Sequence, residues 1–241
     1  MLPHAIELRA AEPQRLYRQI AEQLRTLIAG GEFTPGTRLP AERELAAQLG
    51  VSRPSAREAL IALEVEGWVE VRPGSGVYVV DRRGARTTAK VPPNEWGPLE
   101  LLRARRVVEG EVAALAAAHA KRKHLQAIRD AIRAMKDEAD RNVQPVMGDR
   151  AFHTAVAAAC DNVVLLETVQ TYWDARHGPL FERLGGHFET VPSWRTAIAE
   201  HELVLEAIAS RDPQAAREAM HHHLEKAHAR FSASWRRANT S

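Results

Sequence analysis

The chain has 241 residues, with 33 Lys and Arg against 31 Asp and Glu, 45% hydrophobic residues and one cysteine. That length suits one or two domains with enough apolar residue to bury a core, and the near-neutral balance excludes both a polybasic nucleic-acid coat and a disordered charged tail. Any contact with nucleic acid must therefore come from a local patch. The lone Cys160 excludes an internal disulfide and fits a reducing compartment. Residues 1–8 lack a basic segment followed by an apolar one, and no apolar run approaches the roughly 18 residues of a membrane span. The expected location is the cytoplasm, with no membrane partner.

Pro13 opens a helical pattern in which Leu16, Ile20, Leu24, Leu27 and Ile28 recur at spacings of three and four until Gly30-Gly31 stops it. Pro35-Gly36 and Leu39-Pro40 mark a turn into a second helix, 41–49, with Gly50 placed to end it in a left-handed conformation and Ser52 placed to cap the next. The third helix is predicted from about 53 to 66, with Pro54 in its first turn, where a missing amide proton costs little. After Gly67 the period drops to two on either side of Pro73-Gly74-Ser75-Gly76, which reads as a small hairpin. Three helices and a hairpin make a winged helix-turn-helix, with the domain drawn at 10–80.

Residues 81–98 lose periodicity and gain glycine and proline, a linker composition. Beyond it, helical patterns run over 99–119, 123–141, 145–159, 163–178, 193–210 and 213–235. The fold class expected is mainly α: an N-terminal winged helix-turn-helix followed, over 99–235, by an all-α antiparallel bundle of about six helices.

A helix-turn-helix presents the first turns of its second helix to base edges in the major groove. Arg53 and Arg57 are four apart and share a helical face, from which either can make a bidentate contact to guanine. Ser52 and Ser55 can donate to phosphate, Arg43 sits on the preceding helix, and the glycine-flanked hairpin tip lets backbone approach a minor groove. Taken singly, such arginines are more often solvated surface residues; their alignment with the wing points to double-stranded DNA.

Ten of the eleven histidines follow residue 100. Asp149 and His153 are one turn apart, and an Asp and a His at that spacing can share a cation. His201 lies on the apolar side of its predicted helix. In the run His221-His222-His223, periodicity places only His223 beside the inner stripe of Ala216, Met220, Leu224 and Phe231, and sends His221 and His222 outward. Asp149, His153, His201 and His223 then suit zinc, nickel or manganese. The residues alone leave other readings open. The histidines can bond across the bundle with Asp149 as acceptor, a hydrolytic metal centre can use the same ligands with Glu200 or Glu202 as base, or the metal can itself be the signal.

The segments Leu39-Pro40-Ala41-Glu42-Arg43-Glu44-Leu45, Val51-Ser52-Arg53, Arg57-Glu58-Ala59-Leu60, Gly67 to Val71 and Gly74-Ser75-Gly76 resemble the GntR family of bacterial transcription regulators over about residues 13–80. The resemblance implies that Arg43, Arg53 and Arg57 contact DNA, with Gly74 in the wing, and that the protein is a homodimer. Arg105 to Glu111, Asp149-x-x-Phe152-His153, Asp161-Asn162, and His201 followed after twenty-one residues by His223-Leu224 resemble the helical effector domain of the FadR subgroup, often called FCD, over about 99–231. Gly110 and Asp161 depart from that pattern. In metal-containing members the one Asp and three His match Asp149, His153, His201 and His223. This implies a divalent metal, zinc first, and a carboxylate effector with Arg105 as its partner.

The stretches 12–17, 63–72 and 97–102, with Trp173, Arg176 and His187, are most similar to regulators of hexuronate catabolism. By that analogy Trp173, Arg176 and His187 shape a sugar-acid pocket, although Trp173 and His187 serve equally well as packing and surface residues. The expected function is a repressor of a hexuronate operon, released when a sugar acid binds near the metal.

Overall fold

The computed structural model describes residues 15–81 and 90–233. The helix start at Pro13, residues 82–89 of the 81–98 linker and the helix end at Trp235 lie outside the described residues. The N-terminal unit comprises α1 (Leu16–Ala29), α2 (Glu42–Leu49), α3 (Arg53–Val65), and the antiparallel strands β1 (Val69–Arg72) and β2 (Gly76–Val79). Tyr17, Ile20, Ala21 and Leu24 form the buried stripe of α1, leaving Leu16 about half exposed, and they pack on Ala59, Leu60 and Leu63 of α3. Gly50 ends α2 at φ 66° and Ser52 caps α3 by accepting from the Ser55 amide at 3.2 Å. Both local expectations rest on backbone geometry alone, glycine tolerating the left-handed region and serine supplying a short acceptor.

The second half is helical throughout its described residues: α4 (Pro98–His119), α5 (Arg122–Asp140), α6 (Val146–Ala158), α7 (Val163–Asp174), a 3-10 turn (Ala175–His177), α8 (Pro179–Phe188), α9 (Val191–Ala209) and α10 (Pro213–Phe231). The bundle has seven α-helices where about six were expected. The addition is α8, in a stretch between 178 and 193 for which no helical pattern is predicted; Leu180, Phe181 and Leu184 hold it by burial. Asp161, one of the two departures noted above, takes φ 61° in the turn before α7, a conformation Asp adopts more readily than most residues. Asn162 then caps α7 by accepting from the Val164 and Leu165 amides. The other departure, Gly110, has a packing cause: a Cβ there would lie 2.1 Å from His221 Nε2. His221 is accordingly half-buried against α4 rather than pointing away, and only His222 is exposed.

The two halves touch through α3. Buried Glu58 accepts from the Leu99 and Glu100 amides at 2.7 and 3.1 Å, so α3 caps α4. Burial pushes the Glu58 carboxyl up to about 7 despite those amides. Glu64 meets His187 of α8 at 2.7 Å, and Arg57 reaches the end of α10.

Candidate metal centre and nucleic-acid interface

A groove of about 400 Å³ runs between α2, α3 and the wing, with Arg38, Arg43, Arg53, Gly74, Ser75 and Gly76 among its walls. Arg43, Ser52, Arg53 and Gly74 are exposed and Ser55 is half-buried; the Ser52 and Ser55 hydroxyls share a bond of 2.8 Å. Arg53 stays in solvent beside Glu42, at 3.3 Å. Arg57 differs from the expectation of a second presented arginine: it is 1% exposed, pairs with Glu42 at 2.6 Å, donates to the Phe231 carbonyl, and stacks over Phe188. Helical register put it on the Arg53 face, but a charge leaving water needs partners, and α10 and Glu42 provide them. Sequence reasoning missed Arg38, whose exposed side chain crosses Gly76 and whose backbone bridges Tyr78. Only the pairing of the 32–40 loop with the wing reveals it.

In the bundle, α6 carries Asp149 and His153 one turn apart, α9 carries His201 and α10 carries His223. His201 Nε2 lies 3.3 Å from His153 Nε2, 3.1 Å from His223 Nε2 and 3.4 Å from Asp149 Oδ1, and His153 Nε2 lies 3.4 Å from that same oxygen. Four ligand atoms, one from each residue, lie within 4.8 Å of one another. Tetrahedral bonds of about 2.0–2.1 Å would set neighbouring ligand atoms about 3.3 Å apart, so the spacing fits an ion.

The outer nitrogens explain why the inner ones converge. His223 Nδ1 meets Glu200 Oε2 at 2.8 Å, and His153 Nδ1 lies against Glu109 Oε2. With their protons turned toward carboxylates, both rings aim an Nε2 lone pair inward. Those two rings cannot hydrogen-bond to each other through lone pairs; His201, whose Nδ1 has no partner among the described residues, can donate from Nε2 to either of them or to Asp149, and with its proton on Nδ1 instead the donor set fits a divalent cation. Burial, reinforced by the neighbouring imidazoles, holds His201 and His223 well below the usual histidine range, in the neutral form that ligation requires. Burial raises the Asp149 carboxyl, but His153, Arg176 and His201 outweigh it and hold it well below the usual range. Arg105 and His153 likewise overcome burial at Glu109 and bring it to about 2.

Beside the cluster lies a cavity of about 60 Å³ whose walls include Arg105, Asp149, Arg176, Glu189, His223 and Arg230. Arg105 pairs with Glu109 at 2.5 Å, and Arg176 with Asp149 at 3.0 Å. Both guanidinium groups stack on Trp173, 4.6 and 4.1 Å from its ring centre. Trp173 is fully buried beneath them and acts on the cavity through those two arginines. His187 lies outside this wall, on Glu64 of α3. The hydrolytic reading loses its candidate bases: Glu200 is held by His223 and by Arg230 at 3.0 Å, and exposed Glu202 pairs with Lys136. Among the described residues no helix is long and apolar enough to cross a membrane.

Residues 16–79 match the model for bacterial regulatory proteins of the gntR family, and residues 100–226 match the FCD domain. The Uxu operon transcriptional regulator of Escherichia coli K12 is 36% identical over 222 residues, covering 90% of this chain and 86% of its own. The Exu regulon transcriptional regulator of the same strain is 39% identical over 223 residues, covering 89% and 83%. Among solved structures, E. coli McbR/YncC aligns with a TM-score of 0.50 at 22% identity over 90% of this chain and 97% of that one, a likeness of fold.

Proposed function

Since the chain belongs to the gntR family of bacterial regulatory proteins and continues into an FCD domain, we propose that it is the repressor of a sugar-acid operon, released from DNA by a hexuronate or a breakdown product of one. One observation carries the reading. Helix α10 supplies His223 to the histidine cluster and Phe231 to the adjoining cavity, and that same Phe231 holds Arg57 of α3.

On DNA, the N-terminal units of a cytoplasmic dimer occupy the half-sites of a palindromic operator. Arg53 reads base edges, Arg43, Ser52 and Ser55 hold phosphates, and Gly74 lets the wing approach closely. Arg57 joins them when it leaves Phe231. Arg53→Ala is expected to weaken operator binding by about 1–3 kcal/mol, and unchanged affinity in a DNA titration refutes the assignment.

In the effector domain, Asp149, His153, His201 and His223 hold a divalent cation, zinc by donor type, with nickel or manganese as alternatives. When bound it supplies a Lewis-acid position for a carboxylate or hydroxyl oxygen. Arg105 and Arg176, held flat on Trp173, bind the effector carboxylate through their planar forks. The present cavity is far below the roughly 300 Å³ of ordinary ligand sites, so an effector must part its walls. Those walls include α4, which Glu58 caps, and α10, which holds Arg57. Parting them alters the grip on α3, and linkage requires the effector to favour the arrangement that fits the operator poorly. The test is a thermal-shift series on metal-loaded protein with hexuronates, aldonates and lactate. A hexuronate is expected to raise Tm in proportion to its mass-action stabilisation, and no response to any uronate contradicts the reading.

A further inference from the structure

We propose that Glu189 sets the charge of the effector, admitting an acid with one carboxylate and hydroxyls along its chain and rejecting the corresponding dicarboxylate. This rests on the effector-site reading above and narrows it. Glu189 stands where α8 gives way to α9, in the cavity that Arg105, Arg176 and Arg230 line. Each arginine is already matched with an acid: Arg105 with Glu109, Arg176 with Asp149 and Arg230 with Glu200. Glu189 is a fourth carboxylate, and it accepts from the neutral amide of Gln144.

Three arginines against four carboxylates leave one negative charge in excess, and a divalent cation on the four ligands converts this to one positive charge. One effector carboxylate cancels it and two overshoot. Position sharpens the effect. Gln144 is exposed and Glu189 half-buried, so they form the mouth, whereas Arg105 and His223 lie at the buried end. An effector anchored inside by its carboxylate turns its far end toward Glu189. A hydroxyl there can donate to the Glu189 carboxylate, whereas a second carboxylate meets a like charge and brings no proton.

Calorimetric titration of full-length, metal-loaded protein at pH 8, with a hexuronate and with the aldarate made by oxidising its aldehyde carbon, tests the inference. The unsubstituted protein is expected to bind the hexuronate at least about ten-fold more tightly. Glu189→Gln, which keeps the shape and removes the charge, is expected to narrow that preference to within about three-fold, and Glu189→Asp to retain it. Equal binding of the two acids by the unsubstituted protein, or an undiminished preference in Glu189→Gln, overturns the inference and leaves the effector site standing. Binding of neither acid to the unsubstituted protein overturns both. The unsubstituted comparison needs no variant to fold.

Discussion

At the scale of single residues, proton placement decides what the histidines can do. Periodicity separated His223 from His222, because the angle around a helix axis depends on spacing alone. The partners of the outer nitrogens were not legible in this way, since Glu109 and Glu200 reach His153 and His223 from other helices. Glu200→Ala should therefore lower metal affinity about 10- to 100-fold, as loss of an orienting carboxylate does, in competition with a chromophoric chelator; unchanged affinity contradicts the arrangement. Glu58 offers a pH test. Its carboxyl is raised to about 7 in the folded protein, against 4.5 as a free side chain. Between those values the native state keeps a proton that the unfolded state releases, so its contribution falls as pH rises through that window. Both backbone amides donate to one oxygen, which Gln also possesses. Glu58→Gln should thus gain on the unsubstituted protein between pH 5 and pH 8, by on the order of 3 kcal/mol, read from denaturant midpoints. A constant difference across that range contradicts the assignment.

At the scale of elements, the winged helix-turn-helix was legible almost helix by helix, since its caps and turns use residues with strong local preferences. Helix α8 was not, because packing rather than propensity holds its glycine-containing turns. The burial of Arg57 was equally hidden: its face follows from register, but its partners belong to α2 and α10. Helix α6 shows what fixes the ligands in space. Gly148, next to Asp149, lies so close to α5 that a Cβ would stand 2.7 Å from the Met135 backbone nitrogen and 2.9 Å from its Cα. Backbone cannot step aside as a side-chain tip can. Gly148→Ala should thus destabilise by roughly 1–3 kcal/mol, although alanine favours a helix by about 1 kcal/mol. It should weaken metal binding too, because α6 carries both Asp149 and His153. A stabilised variant with unchanged metal affinity would refute this account of α6.

At the scale of the whole molecule, a formal charge of +2 gave little hint of DNA binding. The first 90 residues hold that excess, 13 Lys and Arg against 11 Asp and Glu, and the groove uses only a few of those cations. What neither composition nor periodicity could show is that α3 is gripped from three sides: by α4 through Glu58, by α10 through Arg57 and by α8 through Glu64. These contacts join the histidine cluster to the groove through two helices, and in the proposed function they let the second domain act as a lever on α3. In that proposed function a sugar acid in the bundle changes the affinity of the groove for DNA. Fluorescence anisotropy of metal-loaded protein on a labelled duplex selected by the protein from a random pool tests it most directly. Saturating hexuronate is predicted to weaken binding at least about ten-fold, with the duplex weakening hexuronate binding by the same factor, as linkage demands. Equal affinity for the duplex with and without a hexuronate that demonstrably binds the protein would contradict the account.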